Sequence, residues 1–197
     1  MHFDLCLCGM MPRFDLKTRI ILIMQWGEHG VISNTGHLIP KIFNNAELRY
    51  RGHYSRIPLD LGGLDDGQTD PYVLFPLGGA GVLDEAFVKK LERPLTLIIP
   101  DGNWGQAARM VKKNEALLRL PKLALPSGPP SAYRLRLSPR ADGVCTFEAV
   151  ARALGLLEGA RVQKELEGFF TVMIERMLWT RSKIRAEEVT GGIRCAR

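Results

Sequence analysis

Three short apolar runs, with helix-like segments between and after them, restrict this chain more than any other feature. "TRIILIM" (Thr18 to Met24) is continuous and rich in Ile. "YVLFP" (Tyr72 to Pro76) is the second run, and "LTLIIP" (Leu95 to Pro100) is the third. Runs of this length without polar alternation predict strands buried on both faces. "LDEAFVKKLE" puts acids first and lysines later, as a helix dipole favours. "NWGQAARMVKKNEALL" opens with Asn103 and Gln106 at capping-box spacing. "CTFEAVARALGLLEG" and "VQKELEGFFTVMIERMLWTRSK" predict the last two helices. The second of these carries Leu166, Phe169, Phe170, Met173, Met177 and Leu178 at helical spacing, so it packs on the core. "KLAL" and "YRLRL" are expected as further short strands. The alternation predicts an α/β fold with a mainly parallel sheet flanked by helices.

The segments between are polar. In "QWGEHGVISNTG", Ser33 or Asn34 is placed to cap a helix through Lys41, with Pro40 as its weak point. "HYSRIPLDLGGLDDGQTDP" reads as irregular. A length of 197 residues suits one domain, and 46% hydrophobic with 24% charged residues is ordinary soluble composition. No apolar run approaches membrane-spanning length, and the N-terminus lacks the pattern of a signal peptide, so a cytoplasmic protein without membrane contact is expected.

The net charge of +6 favours a polyanionic partner. The cations group as Lys41, Arg49, Arg51 and Arg56; Arg109, Lys112 and Lys113; Arg134, Arg136 and Arg140; and Arg176, Arg181, Lys183 and Arg185. Charge alone supports solvated faces and RNA binding equally. Of the cysteines, Cys6, Cys8, Cys145 and Cys195, only the first two are close in sequence. With His2 they fall short of a tetrahedral zinc set, so reduced thiols and no metal are expected.

Ligands of parallel sheets bind beyond the carboxyl ends of the strands. Asp101 stands at such an end. It is either a turn or capping residue, or an acceptor aimed into a cleft, where desolvation beside apolar neighbours raises its basicity. Trp104 either packs on the core or offers a flat wall to a base. "LGGAG" (Leu77 to Gly81) is either a simple turn or a backbone cradle, and it lacks both common phosphate-loop patterns. Asn34 and Thr35 lie at a helix start, and Glu28 and His29 lie in the loop before it. Thr146 is expected to cap the helix that follows, with Glu148 in its first turn either structural or reaching a ligand's amine. Neither a Ser-His-Asp constellation nor H-E-x-x-H is readable.

Taken in order, "QWGE" with "SNTGHL", "YVLFPLGGA", "DGNW", "YRLRLSP", "CTFEAVARALGLLE" and "FFTVMIERML" resemble the DTW-domain family over roughly residues 17 to 182. Asn103 stands where the family signature has Thr. Cys6 and Cys8 correspond to half of the family's four N-terminal cysteines, so residues 1–16 are expected as a remnant of that segment in a single domain spanning 1–197. The resemblance implies a SPOUT-like fold with a C-terminal knot that binds S-adenosylmethionine. It implies transfer of the 3-amino-3-carboxypropyl group to N3 of a uridine in tRNA, with release of methylthioadenosine. The alternatives are a SPOUT-like RNA methyltransferase and a non-catalytic RNA-binding module. Within the implied reaction, Asp101 is the proton acceptor. Asn34, Thr35, Phe75, Pro76, Leu77, Gly78, Ala80, Asp101, Gly102, Trp104, Thr146 and Glu148 hold the cofactor. Lys112, Lys113, Arg134, Arg136, Arg181 and Arg185 meet RNA. The resemblance also allows a homodimer.

Overall fold

The structure is a computed structural model that describes residues 5–52, 59–136 and 143–193. The three apolar runs become adjacent central strands: β1 (Arg19–Gln25), β3 (Asp70–Leu74) and β5 (Leu95–Asp101). With β2 (Ala46–Arg51), β4 (Gly81–Val82) and β6 (Lys122–Ala124) they form a parallel sheet of order β2-β1-β5-β3-β6-β4. The helices are α1 (Ile39–Ile42), α2 (Glu85–Val88), α3 (Trp104–Lys113), α4 (Glu115–Arg119), α5 (Thr146–Leu157) and α6 (Ala160–Thr180).

Two hydrophobic clusters explain why β1 lacks polar alternation. Ile20, Leu22 and Met24 pack in one cluster with residues of α1, α5 and α6. Ile21 and Ile23 point the other way, to Met110, Val111 and Leu117 of α3 and α4. Successive side chains of a strand face opposite ways, so a sheet covered on both sides needs apolar residues at every position.

This arrangement creates a switch point. The chain leaves β1 through α1 toward β2, at one edge of the sheet, across the first face. It leaves the neighbouring β5 through α3 and α4 toward β6, near the other edge, across the second face. The two connections diverge, and a crevice opens where Met24 of β1 lies beside Asp101 of β5.

Pro100 fits this strand end. Carbonyl and N–H groups of a parallel strand alternate between its two neighbours. Pro94 O accepts from Asp70 N, so even-numbered residues of β5 address β3. The paired register of those strands ends at Val73 with Ile98, and the absent N–H of Pro100 therefore costs no ladder bond.

Several expectations are corrected. The segment after Asn34 is a short 3-10 turn, Gly36–Leu38, and a single helical turn with Pro40 near its start, rather than one helix. "NWGQAARMVKKNEALL" is split, because Asn114 is extended between α3 and α4 and its side chain donates to Met110 O at 2.6 Å. "YRLRL" is not a strand: Tyr133 to Arg136 form loop and turn, while Leu137 lies outside the described residues, as do Arg56, Arg140, His2 and Cys195. β2 was not foreseen. It is an edge strand, half-buried throughout, and its "AELRYR" lacks an apolar run.

α5 is fixed to α6 by Phe147, which is 1% exposed and stacks on Phe170 at 4.9 Å between ring centroids. Phe147→Ala should lower the unfolding free energy by about 3–5 kcal/mol. Urea denaturation followed by tryptophan fluorescence checks this, and a midpoint equal to that of the unsubstituted chain refutes it.

Candidate active site

Strand alternation decides where Asp101 points. It shares parity with Leu95, Leu97 and Ile99, which face α5 and α6. Asp101 is thereby turned inward, 2% exposed, as the last residue of β5. Each carboxylate oxygen has a donor. Asn34 Nδ2 donates to Oδ2 at 2.7 Å, and Thr146 Oγ1 donates to Oδ1 at 2.5 Å. Asn34 is oriented in turn by Gly36 N, which donates to its Oδ1 at 2.8 Å. The same loop meets α5 again where Phe147 N donates to Thr35 Oγ1 at 3.3 Å. The loop after β1, the end of β5 and the start of α5 thus converge on one acid.

Burial pushes the Asp101 carboxyl above its ordinary value. The bonds from Thr146 and Asn34 oppose that rise, the Glu28 carboxylate adds to it, and His37 counters it.

Asp101 lines a hollow of about 740 Å³. That lies within the roughly 300–1,000 Å³ typical of small-molecule sites. Phe75 and Trp104 stand in its wall with ring centroids 5.6 Å apart, and Leu74, Ile99 and Leu125 add apolar surface. The other side is the segment from Pro126 to Arg136 with the first turns of α5. Contacts from Arg136 and Tyr133 tie this side to the loop after β1. Arg136 donates from both terminal nitrogens to Glu28 Oε2 at 3.1 Å, and Tyr133 OH donates to Ser33 O.

Of the residues expected to hold a cofactor, Asn34, Thr35, Phe75, Pro76, Asp101, Gly102, Trp104 and Thr146 line the hollow. Leu77, Gly78, Ala80 and Glu148 lie outside its walls. After Pro76 the chain turns away, with Leu77 N on Phe75 O and Ala80 N on Leu77 O, and Leu77 packs in the second cluster. Glu148 is buried and fully engaged: it accepts from Cys145 N at 3.0 Å, Ala132 N at 2.7 Å and Ser131 Oγ at 2.5 Å. It holds the wall in place. Thr146 does not cap α5; Cys145 occupies the cap position, and the Thr146 hydroxyl is spent on Asp101. The expected capping box of Asn103 and Gln106 is present, with bonds of 2.9 and 2.8 Å. Gly102 makes room for it, since a Cβ there would sit 3.0 Å from Gln106 Oε1.

Among the cations expected to meet RNA, Arg134 and Arg136 are on the rim of the hollow. Lys112 and Lys113 are exposed in the last turn of α3, away from it. Arg181 is exposed at the end of α6, and Arg185 pairs with Glu187 and Glu188. Cys6 and Cys8 are exposed, and among the described residues no three His, Cys, Asp or Glu side chains group as metal ligands.

A DTW domain matches residues 1–178. The chain belongs to the DTW-domain family. The tRNA-uridine aminocarboxypropyltransferase 2 of Mus musculus is 37% identical over 161 residues, covering 78% of this chain and 53% of the mouse protein. Its namesake from Drosophila melanogaster is 34% identical over 144 residues, covering 73% of this chain and 51% of its own. That of Macaca fascicularis is 27% identical over 167 residues, covering 78% and 53%. The chain thus spans about half the length of the curated relatives it matches. No solved structure gives a significant match. Among the described residues of this DTW domain, no helix is long and apolar enough to cross a membrane.

The site residues that escaped the sequence analysis include two with specific contacts. Gly36 is one: a Cβ there would lie 2.9 Å from Leu22 Cδ2, 3.0 Å from Asp101 Oδ2 and 3.1 Å from Asn34 Oδ1. Its spacing in the sequence carries no signal of this close approach. Arg152 is the other; with Thr146 and Ala149 it follows the i, i+3, i+6 spacing of one helix face in the wall.

Two tests follow for this DTW domain. Gly36→Ala should cost about 1–3 kcal/mol, because the added methyl has no space. An unchanged melting temperature refutes that. Asp101→Asn keeps the shape, with Oδ1 able to accept from Asn34 and Nδ2 to donate to Thr146. Since the native carboxyl value lies above the ordinary 3.8, stability supplied by the neutral acid is present below that value and lost as pH rises through the native one. Asp101→Asn removes this loss. It should be at least as stable as the unsubstituted chain at neutral pH, with the advantage shrinking on acidification. Thermal melts across pH check the trend, and an advantage that grows toward acid refutes it.

Proposed function

We propose that this chain transfers the 3-amino-3-carboxypropyl group of S-adenosylmethionine to N3 of a uridine in tRNA. The observation that carries this is Asp101: a buried acid of raised basicity in a nucleoside-sized hollow, at the switch point of a DTW domain. The names of the curated relatives support the choice of reaction.

The hollow fits such a donor on its own terms. Its volume is adequate, Phe75 and Trp104 give flat apolar surface for an adenine, and Asp101 and Glu28 favour cationic groups. Asn34, Thr35, Phe75, Pro76, Gly102, Trp104 and Thr146 would hold it. When bound, the donor supplies an electrophilic γ-carbon beside a sulfonium, and methylthioadenosine leaves as a neutral thioether.

The protein's part is proton management and alignment. Uridine N3 is a poor nucleophile until its proton moves. Asp101 accepts that proton as the N3–carbon bond forms and the carbon–sulfur bond breaks. Asn34 and Thr146 hold both oxygens in place while leaving each a second lone-pair direction. Holding N3 in line with the γ-carbon, rather than with the methyl, selects the product.

The finer assignments belong to the same proposal. The C-terminal elements form a SPOUT-like knot, and residues 1–197 act as one DTW domain. Lys112, Lys113, Arg134, Arg136, Arg181 and Arg185 contact the RNA backbone with salt-sensitive affinity. The protein works in the cytoplasm, and pairing of two copies is compatible with it.

Incubation with labelled S-adenosylmethionine and total small RNA, followed by nucleoside mass spectrometry, tests the reaction. The expected product is a uridine heavier by one aminocarboxypropyl group; a methyl adduct, or no adduct, overturns the proposal. Asp101→Asn should lower turnover by about 100- to 10,000-fold. Turnover near that of the unsubstituted chain removes Asp101 from the role.

A further inference from the structure

We infer that Arg152 takes the carboxylate at the amino-acid end of the donor, and so sets which carbon faces the uridine. The inference rests on the donor proposed above.

The arginines lining the hollow differ in their partners. Arg136 is forked onto Glu28, with its Nε on Ser33 Oγ at 2.9 Å. Arg134 is exposed at the rim, within reach of the charge of Glu188. Arg152 has no carboxylate partner among the described residues. Among the described residues its buried Nε finds no hydrogen-bond acceptor, and Nη2 reaches only Pro130 O, at 3.5 Å. A guanidinium held this loosely can swing toward a ligand while giving up one marginal contact. What it lacks is an anion, and the fork of a guanidinium matches a carboxylate with two parallel bonds.

The end of the hollow at the first turn of α5 holds two acids, of which Glu28 is paired with Arg136. Asp101 and Glu28 lie there, both within reach of Asn34 Nδ2, at 2.7 and 3.3 Å. A ligand carboxylate placed at Asn34 and Thr35 would meet these like charges. The elements after Thr35 are one 3-10 turn and one helical turn, too short to offset them with a dipole. Thr146 and Arg152 are six residues apart on α5, about 9 Å of helix rise. The Arg152 guanidinium lies at the Gly128–Pro130 segment of the wall, with Nη2 3.5 Å from Pro130 O. The hollow is therefore bipolar along α5: acceptors for a cationic centre at one end, a cation for a carboxylate at the other. S-Adenosylmethionine carries both kinds of group. Anchoring its carboxylate away from Asp101 stretches the aminocarboxypropyl chain along the wall, so that its γ-carbon rather than the methyl borders the uridine.

Calorimetry with S-adenosylmethionine and with its decarboxylated analogue tests this on the full chain, on Arg152→Gln and on Arg152→Lys. The unsubstituted chain should bind S-adenosylmethionine about 10- to 100-fold more tightly than the analogue, the range for a charge-assisted hydrogen bond. Arg152→Gln should lose that preference and bind the analogue as before, and Arg152→Lys should retain part of it. Equal binding of both ligands by the unsubstituted chain overturns the inference without recourse to variants. So does Arg152→Gln that keeps the preference, or that weakens both ligands equally. An unsubstituted chain that binds neither ligand overturns the donor assignment as well, which separates the two failures.

Discussion

A carboxylate taken out of water must be given donors, and Asp101 receives them from two remote parts of the chain. Asn34 lies 67 residues before it and Thr146 lies 45 after. An isolated buried carboxylate would cost many kcal/mol, or would protonate instead. These two bonds therefore constrain more than one side chain. They require the loop after β1 and the first turn of α5 to meet at the end of β5. Once they meet there, the walls of the hollow are set, since Thr35, Phe147 and Glu148 hang on the same junction. The donors do not fully offset burial, so the acid keeps a raised proton affinity.

The sheet delivers Asp101 to that junction by simple rules. Parity turns it to the face that α5 covers. Register sets it beside Met24, where the connections of β1 and β5 part toward opposite edges. The early end of the β3 register opens a gap beside Pro100 and Asp101, and Phe75 and Trp104 wall that gap. Proline is tolerated there because its missing N–H faces a neighbour that has already left the ladder. A strand that continued on the β3 side would close the hollow.

Much of this was legible in the sequence wherever one residue type had one physical consequence. Unbroken apolar runs gave β1, β3 and β5, because only strands covered on both faces need them. Asn103 with Gln106 gave the start of α3, and Asp101 was visible as an acid on the lip of a buried strand. What stayed hidden depends on partners distant in the chain. Thr146 looked like a cap because a cap is the local use of Thr, and its actual acceptor is on another element. Glu148 could be structural or ligand-facing until its three donors were seen. Leu77, Gly78 and Ala80 looked like a cradle because glycines permit one, but the turn at Leu77 carries them off. β2 was invisible because edge strands are written in polar residues, and Gly36 because close approach leaves no trace in spacing.

The pairing of Glu28 with Arg136 shows how the rim bears on the buried acid. Both partners keep some solvent exposure, 12% for the Glu28 side chain and 38% for Arg136, and exposed pairs add little to stability. Their importance is electrostatic. Glu28 is among the groups that raise Asp101, and its charge is the one that Arg136 engages with both terminal nitrogens. An unengaged Glu28 would press harder on Asp101 and raise its proton affinity further. The proton affinity of the buried acid is therefore bounded from two sides, by burial that raises it and by a rim arginine that restrains the neighbour pushing in the same direction. Because Arg136 belongs to the segment that walls the hollow, the position of that wall and the basicity of Asp101 are coupled.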